Sequence, residues 1–348
     1  MAASQDPFLG CYLPLAVRQS ILSQFWEACQ PDLSQMPNMQ PYFEYHSARC
    51  RQFLHNGGIH VTAKKHSELI GVSKRILGEV PKETLVASIT KERTGSERPD
   101  PERVGNTLAL CASLLLMTNV RGHRYGVSGS NLLDWTADET LKGSVESHFA
   151  RQRPVLQSGN TRLSRLFTAR NLSRVGGMNV KWTTNLVDHL ILADDDRTVF
   201  LFHCASFLKF QKSCARGIFP EGLMEETIRT LTLLFPENDI HSRKWLKTEI
   251  DTKKLDRSLA SCGSLRSRDR RFEKFFFWHD RLLILKQAFD ESSPRTLAQW
   301  WNDRRNIVQW YTFWVAIMVF VLTTFFGLVQ SIEGGLQVWL AWEGRGSK

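Results

Sequence analysis

The chain has 348 residues, with 42% apolar and 23% charged side chains, a globular composition that excludes a disordered or collagen-like polymer. Lys and Arg number 45 against 35 Asp and Glu, a formal net charge of +10. The mean hydropathy of −0.26 excludes a multi-span membrane protein but leaves room for one span. The seven cysteines, at 11, 29, 50, 111, 204, 214 and 262, include no CxxC pair and no repeated spacing. Free or buried thiols in a reducing compartment are therefore expected, not a disulfide scaffold or a zinc ribbon. The first residues lack a basic region and carry Asp6, so no signal peptide is expected. The single sequon, at Asn171, is then not expected to meet the glycosylation machinery.

Taken in chain order, the pattern predicts a mainly α protein with a small α+β element in its middle third and a single C-terminal transmembrane helix. Three regions follow: a mostly helical 1–150, an α+β and helical 151–292, and 293–348 with a juxtamembrane helix, a span at about 308–330 and a short tail. Leu15, Ile21, Leu22, Phe25, Trp26 and Cys29 predict a helix over Leu15–Cys29, and a second is expected over Tyr42–His55, ending at Gly57-Gly58. Residues 59–88 carry helical patterning, and the polar stretch 89–103 reads as a loop. Val104–Val120 holds 17 uncharged residues. Its length and its Asn and Thr content favour a buried core helix over a second span.

Residues 142–162, with Gly143, Pro154 and Gly159, read as a loop. Thr168–Val175 is expected to be helical, Met178–Trp182 a strand, Asn185–Leu192 helical, Asp194–Asp196 a turn, Thr198–His203 a strand and Leu223–Phe235 helical. Phe272, Phe275, Phe276, Leu282, Leu283 and Phe289 recur at helical steps, so one long amphipathic helix is expected over Ser267–Asp290 with Ser267 as its cap. Ser293-Pro294 would open a further helix leading toward the membrane.

The C-terminal segment is the strongest signal. Asn306 to Ile332 contains no charge over 27 positions. As a helix this reaches roughly 40 Å, more than the roughly 30 Å hydrocarbon core of a bilayer. Trp300, Trp301, Trp310, Trp314, Trp339 and Trp342 bracket it, with Arg304 and Arg305 on the N-terminal side, as interface anchors would. Lys286, Arg295, Arg304 and Arg305 outnumber Arg345 and Lys348, so the positive-inside rule places the N-terminal body in the cytosol. With so short a tail the architecture expected is that of a tail-anchored, single-pass protein. Gly327, Ser331 and Gly335 recur every four residues, a small-residue face through which two spans could associate.

Chemistry is sparser. No dinucleotide fingerprint, phosphate-binding loop, zinc-protease motif or kinase set occurs. Gly126-Val-Ser128-Gly129-Ser130 begins like a nucleophile elbow and lacks the closing glycine. The weak metal candidates are Asp188, His189, the Asp194–Asp196 run through Asp195, and His203, where carboxylates and imidazoles stand within one strand–turn frame. The bland alternative is an exposed aspartate turn and a core histidine. Trp278-His279-Asp280-Arg281 is a lesser His/Asp pair, because adjacent helical residues diverge. No cofactor is expected. Arg266, Arg268, Arg270 and Arg271 form the sharpest basic patch, read as a solvated face, a contact with the anionic leaflet, or a nucleic-acid contact, the last disfavoured by the absence of an aromatic platform.

Three segments carry a resemblance. They are Leu166–Leu172 through Trp182–Leu190 to Phe202–Leu208, then Phe275–Leu282, and Gln299–Arg305 through Trp310–Trp314 to Phe326–Gly334. Together they resemble a large group of uncharacterised filamentous-fungal proteins with a C-terminal transmembrane anchor. The resemblance implies a fungal origin and the anchor, and it supplies no activity or catalytic residue. The expected function is that of a tail-anchored, non-enzymatic interaction or scaffold protein at an internal membrane, bound to the lipid bilayer and to a protein partner. The alternatives are a membrane-bound, metal-dependent enzyme and a basic nucleic-acid-associated protein.

Overall fold

The computed structural model describes residues 13–26, 38–92, 100–121, 131–150, 162–214, 217–292 and 307–343. They contain twelve α-helices and one three-stranded sheet near the middle of the chain, in agreement with the mainly α reading. Contacts divide the chain into a body (Met1–Ser173 with Met178–Ser292) and a second unit (Ser293–Lys348 with Arg174–Gly177).

The body is organised around α5 (Pro101–Leu116), the run expected to be a core helix. Asp100 caps it by accepting from the Glu102 N–H at 3.1 Å, and Pro101 occupies the first turn, where its missing N–H costs nothing. Twelve of its sixteen residues are buried. Helices α2 (Gln40–Phe53), α3 (His66–Leu77) and α4 (Lys82–Glu92) pack around it. Its polar side chains are satisfied in place. The Asn106 amide donates to the His60 carbonyl at 3.1 Å, and Thr107 Oγ1 accepts from the Thr62 N–H at 2.9 Å. From α2, the hydroxyls of Tyr42 and Tyr45 donate to the carbonyls of Leu114 and Ser113. Met117 ends the helix in the left-handed region at φ 47°.

An aromatic cluster joins these helices to α8 (Ala205–Lys212). Trp26, just after α1 (Leu15–Phe25), meets Tyr42, Phe207 and Phe210 edge-on with centroids 5.2–6.2 Å apart, and Tyr42 stacks on Phe207. Offset and edge-on pairs of this kind are worth about 0.5–1.5 kcal/mol each beyond their burial.

Residues 142–150, expected to belong to a loop, instead lie in α6 (Leu141–Ala150). Leu141, Val145 and Phe149 fall four apart and are all buried, and Thr140 opens the helix by accepting from the Gly143 N–H. After α7 (Ala169–Arg174) the sheet has the order β1-β3-β2. β1 (Asn179–Thr183) runs parallel to β3 (Thr198–Phe202) with Trp182 opposite Leu201, and the short β2 (Leu192–Ala193) lies antiparallel to β3. The helix expected over Asn185–Leu192 is only a single 3-10 turn, Leu186–Asp188, because the Leu190 N–H donates to the Phe200 carbonyl and the Ile191 carbonyl accepts from the Phe200 N–H, which draws the chain onto β3.

Helices α9 (Leu223–Leu234) and α10 (Ile240–Lys253) follow. The long helix expected over Ser267–Asp290 is replaced by two 3-10 turns, Ser267–Arg270 and Phe272–Lys274, and by α11 (His279–Glu291). The reason is distant in the chain. The N–H groups of Phe276 and Trp278 donate to the two carboxylate oxygens of Glu226, and the Arg270 carbonyl accepts from the Leu163 N–H, so these groups are taken out of any helical ladder. α12 (Ile307–Glu343) is the second unit's helix. The helix expected from Ser293 lies outside the described residues.

Candidate functional site

α12 is 37 residues long, and its stretch Trp310–Trp342 has a mean hydropathy of 2.2 in its most apolar window, none of which is buried in the protein. At about 1.5 Å per residue those 33 residues reach roughly 50 Å, ample for a roughly 30 Å core. Among the described residues it is the one helix long and apolar enough to cross a membrane. A soluble core helix of this composition would be covered, as α5 is. Trp310 and Trp314 stand near one end and Trp339 and Trp342 near the other, the last two largely exposed. Trp300, Trp301, Arg304 and Arg305 lie outside the described residues. A Cβ added at Gly327 or Gly335 would meet nothing within 4 Å, and the Ser331 hydroxyl donates back to the Gly327 carbonyl, so this face is shallow and its polar group satisfied.

In the body, the metal candidates do not converge. Asp188 faces Asn131, accepting from its N–H and side-chain amide at 3.1 and 3.3 Å, and also accepts from Thr183 Oγ1 at 3.4 Å. His189 is fully buried with both ring nitrogens in use. Nδ1 accepts from the Phe202 N–H at 3.2 Å and Nε2 lies 2.7 Å from Thr230 Oγ1, which itself donates to the Thr227 carbonyl. The ring is thereby fixed as the Nε2–H tautomer, and burial, then the nearby Arg281, push its pKa down to about 3. Asp194, Asp195 and Asp196 form an exposed left-handed turn at φ 55°, 52° and 61°. His203 Nδ1 accepts from the Asp256 N–H, and burial holds its pKa down at about 4. Among the described residues no three His, Cys, Asp or Glu side chains are grouped to hold a metal.

What gathers around His189 is a polar knot that no local motif announces. Arg281 Nη1 donates to the carbonyls of Val187 and His189, both at 2.7 Å, and its guanidinium lies 5.2 Å from the Trp278 ring. Burial lowers its pKa to about 10 against the pull of Asp188. Trp278 Nε1 donates to Thr227 Oγ1 at 2.9 Å. Glu226, 5% exposed, holds the start of α11, and burial raises its pKa. Beside it an open depression of about 420 Å³ is lined by Glu225, Arg229 and the Phe276 and Phe277 rings, with Glu225 already paired to Lys212 and Arg229. The helical spacing that suggested a long amphipathic helix concealed this knot, because Glu226, Trp278 and Arg281 meet only through the fold.

Asp256 is a second such residue. Its carboxylate accepts from the Ser206 N–H in the first turn of α8 at 2.6 Å and from the Ser258 N–H at 2.8 Å. Of the cysteines, Cys50, Cys111, Cys204 and Cys262 are free. Cys214 is disulfide-bonded, contrary to the expectation of free thiols throughout, and its partner lies outside the described residues. In the basic patch, Arg266, Arg268 and Arg271 are exposed while Arg270 is buried. Comparison of the chain with family models, with curated proteins and with solved structures returned no match.

Proposed function

We propose that this chain is a single-pass membrane protein whose helical body stands in the cytosol at an internal membrane and binds a protein partner without catalysing a reaction. The observation that carries the anchor is the length and apolar character of α12, whose most apolar window has no buried residue. The excess of Lys and Arg before the span supports the orientation. The interaction reading draws on the residues best suited to chemistry, His189, Glu226, Asp256 and Arg281, each of which is committed to holding backbone groups. The small-residue face through Gly327, Ser331 and Gly335 suits pairing of two copies.

The test is localisation of a tagged full chain beside one stopped after Asp303, with protease protection on isolated membranes. The full chain is expected on internal membranes with its body cleaved by added protease, and the shorter chain in the soluble fraction. A body protected from protease would reverse the orientation and accord with the disulfide at Cys214, since disulfides persist in oxidising compartments. Two soluble chains would overturn the anchor.

A further inference from the structure

The fold brings two arginine-bearing segments together. Arg162 and Arg271 oppose one another in an isolated antiparallel bridge, and the adjoining Leu163 N–H donates to the Arg270 carbonyl at 2.8 Å. Directly opposed residues hold their Cβ atoms about 5 Å apart. Arg165 follows Arg162 by three residues and is likewise exposed. Arg270 is 7% exposed, and its Nε is fully buried with no hydrogen-bond partner.

Among the described residues, no ion pair reaches Arg162, Arg165, Arg266, Arg268, Arg270 or Arg271. The nearest acids in sequence, Asp269 and Glu273, pair with none of them. Burial, then the neighbouring guanidiniums of Arg165 and Arg162, press the pKa of Arg270 down. A buried guanidinium without a counter-ion, repelled by two like charges, is unfavourable in the empty protein. A dianion with several acceptor oxygens satisfies it, and the planar five-donor fork of arginine matches phosphate oxygens two at a time.

We infer that Arg162, Arg165, Arg270 and Arg271 form a binding site for a phosphomonoester, carried either on a lipid headgroup or on a soluble phosphate. Arg266 and Arg268, both exposed, steer the anion toward it. The site lies wholly within the body and does not depend on α12 crossing a membrane.

The test uses the full chain in non-ionic detergent, titrated with inositol 1,4,5-trisphosphate, inorganic phosphate and sulfate by calorimetry. One saturable trisphosphate site is expected, weakening as salt rises. Arg162→Gln with Arg165→Gln, both at exposed positions, is expected to weaken it by about 25-fold, at about five-fold per arginine. Arg270→Met is expected to melt higher than the parent in phosphate-free buffer and to lose the further rise that the trisphosphate gives the parent. The source is read from hydrogen exchange at Leu163 and Arg270–Arg271 in phosphatidylcholine nanodiscs with and without phosphatidylinositol 4,5-bisphosphate. Protection by the lipid assigns a headgroup ligand, and protection by free trisphosphate alone assigns a soluble one. No saturable binding in either arm, binding unchanged by the Arg162→Gln, Arg165→Gln pair, or displacement of both probes by a short single-stranded RNA would overturn the site.

Discussion

Lowering the pH from 7.5 to 5 is expected to destabilise the body by about 4 kcal/mol through two buried imidazoles alone. His46 and His189 are each fully enclosed, and burial first, then His66 for His46 and Arg281 for His189, hold both pKa values down at about 3. The unfolded rings titrate near ~6.5. A folded pKa below the unfolded one favours the neutral ring, so the stabilisation is complete above about pH 6.5 and is lost as the pH falls from there toward 3. At pH 5 each unfolded ring gains about 2 kcal/mol by taking a proton that the native ring refuses. His203, held at about 4, adds in the same direction.

The assay is urea unfolding of the full chain in non-ionic detergent, followed by tryptophan fluorescence at pH 7.5, 6 and 5. The decisive variant is His46→Phe. The ring sits against Phe25 and Tyr42, its Nε2 has no hydrogen-bond partner, and its Nδ1 meets only the Cys50 thiol at 3.7 Å, so an apolar ring gives up just that weak sulfur contact. The variant should recover about 2 kcal/mol of the acid loss. If parent and variant lose stability equally between pH 7.5 and 5, the buried neutral ring is not the cause and the reasoning fails.

Asp256→Ala leaves two N–H groups without their charged acceptor, at about 1.5–3 kcal/mol each, so a loss of about 3–6 kcal/mol is expected in the same unfolding assay. Lys254 is exposed and ends α10 at φ 53°, so Lys254→Gly should raise stability by about 0.5–1 kcal/mol, measured as a higher urea midpoint at unchanged slope. Burial pushes the thiols of Cys50, Cys111, Cys204 and Cys262 up, the second and last to about 12. Iodoacetamide at pH 8 should therefore leave these four unmodified in the native chain and label all four in urea, as read by mass spectrometry of the peptides.

Much of the architecture was legible because it rests on local regularities. The β-branched and aromatic residues of Thr198–Phe202 made a strand, the uncharged run of Val104–Val120 made a buried helix, and the charge-free Asn306–Ile332 made a membrane-length helix. The failures share one cause. At Phe272–Trp278 the apolar spacing is helical, yet the backbone hydrogen bonds go to Glu226, some fifty residues earlier, and spacing says nothing about distant acceptors. Asn185–Leu192 failed likewise, because its partners are on β3. The metal candidates were adjacent in sequence but were drawn to different neighbours, Asp188 to Asn131 and His189 to Thr230. The basic patch was visible at Arg266–Arg271, while its other half, Arg162 and Arg165, became part of it only through the bridge.

The enclosure of α5 bears on how the chain is handled while it is made. Val104–Val120 is nearly as long and as free of charge as a membrane span, and any machinery that samples nascent apolar segments meets it before α12. What separates the two is timing. The Asn106 amide finds its partner, the His60 carbonyl, only when the 60–62 segment has closed over the helix, whereas Thr107 and Ser113 donate to carbonyls of α5 itself, and an unpaired amide is costly in lipid. Prompt collapse of the first hundred or so residues thus acts as a topological proofreader. A body slowed in folding would present two insertion-competent segments instead of one, and the same polypeptide would emerge as a hairpin in the bilayer with its N- and C-terminal ends on one side.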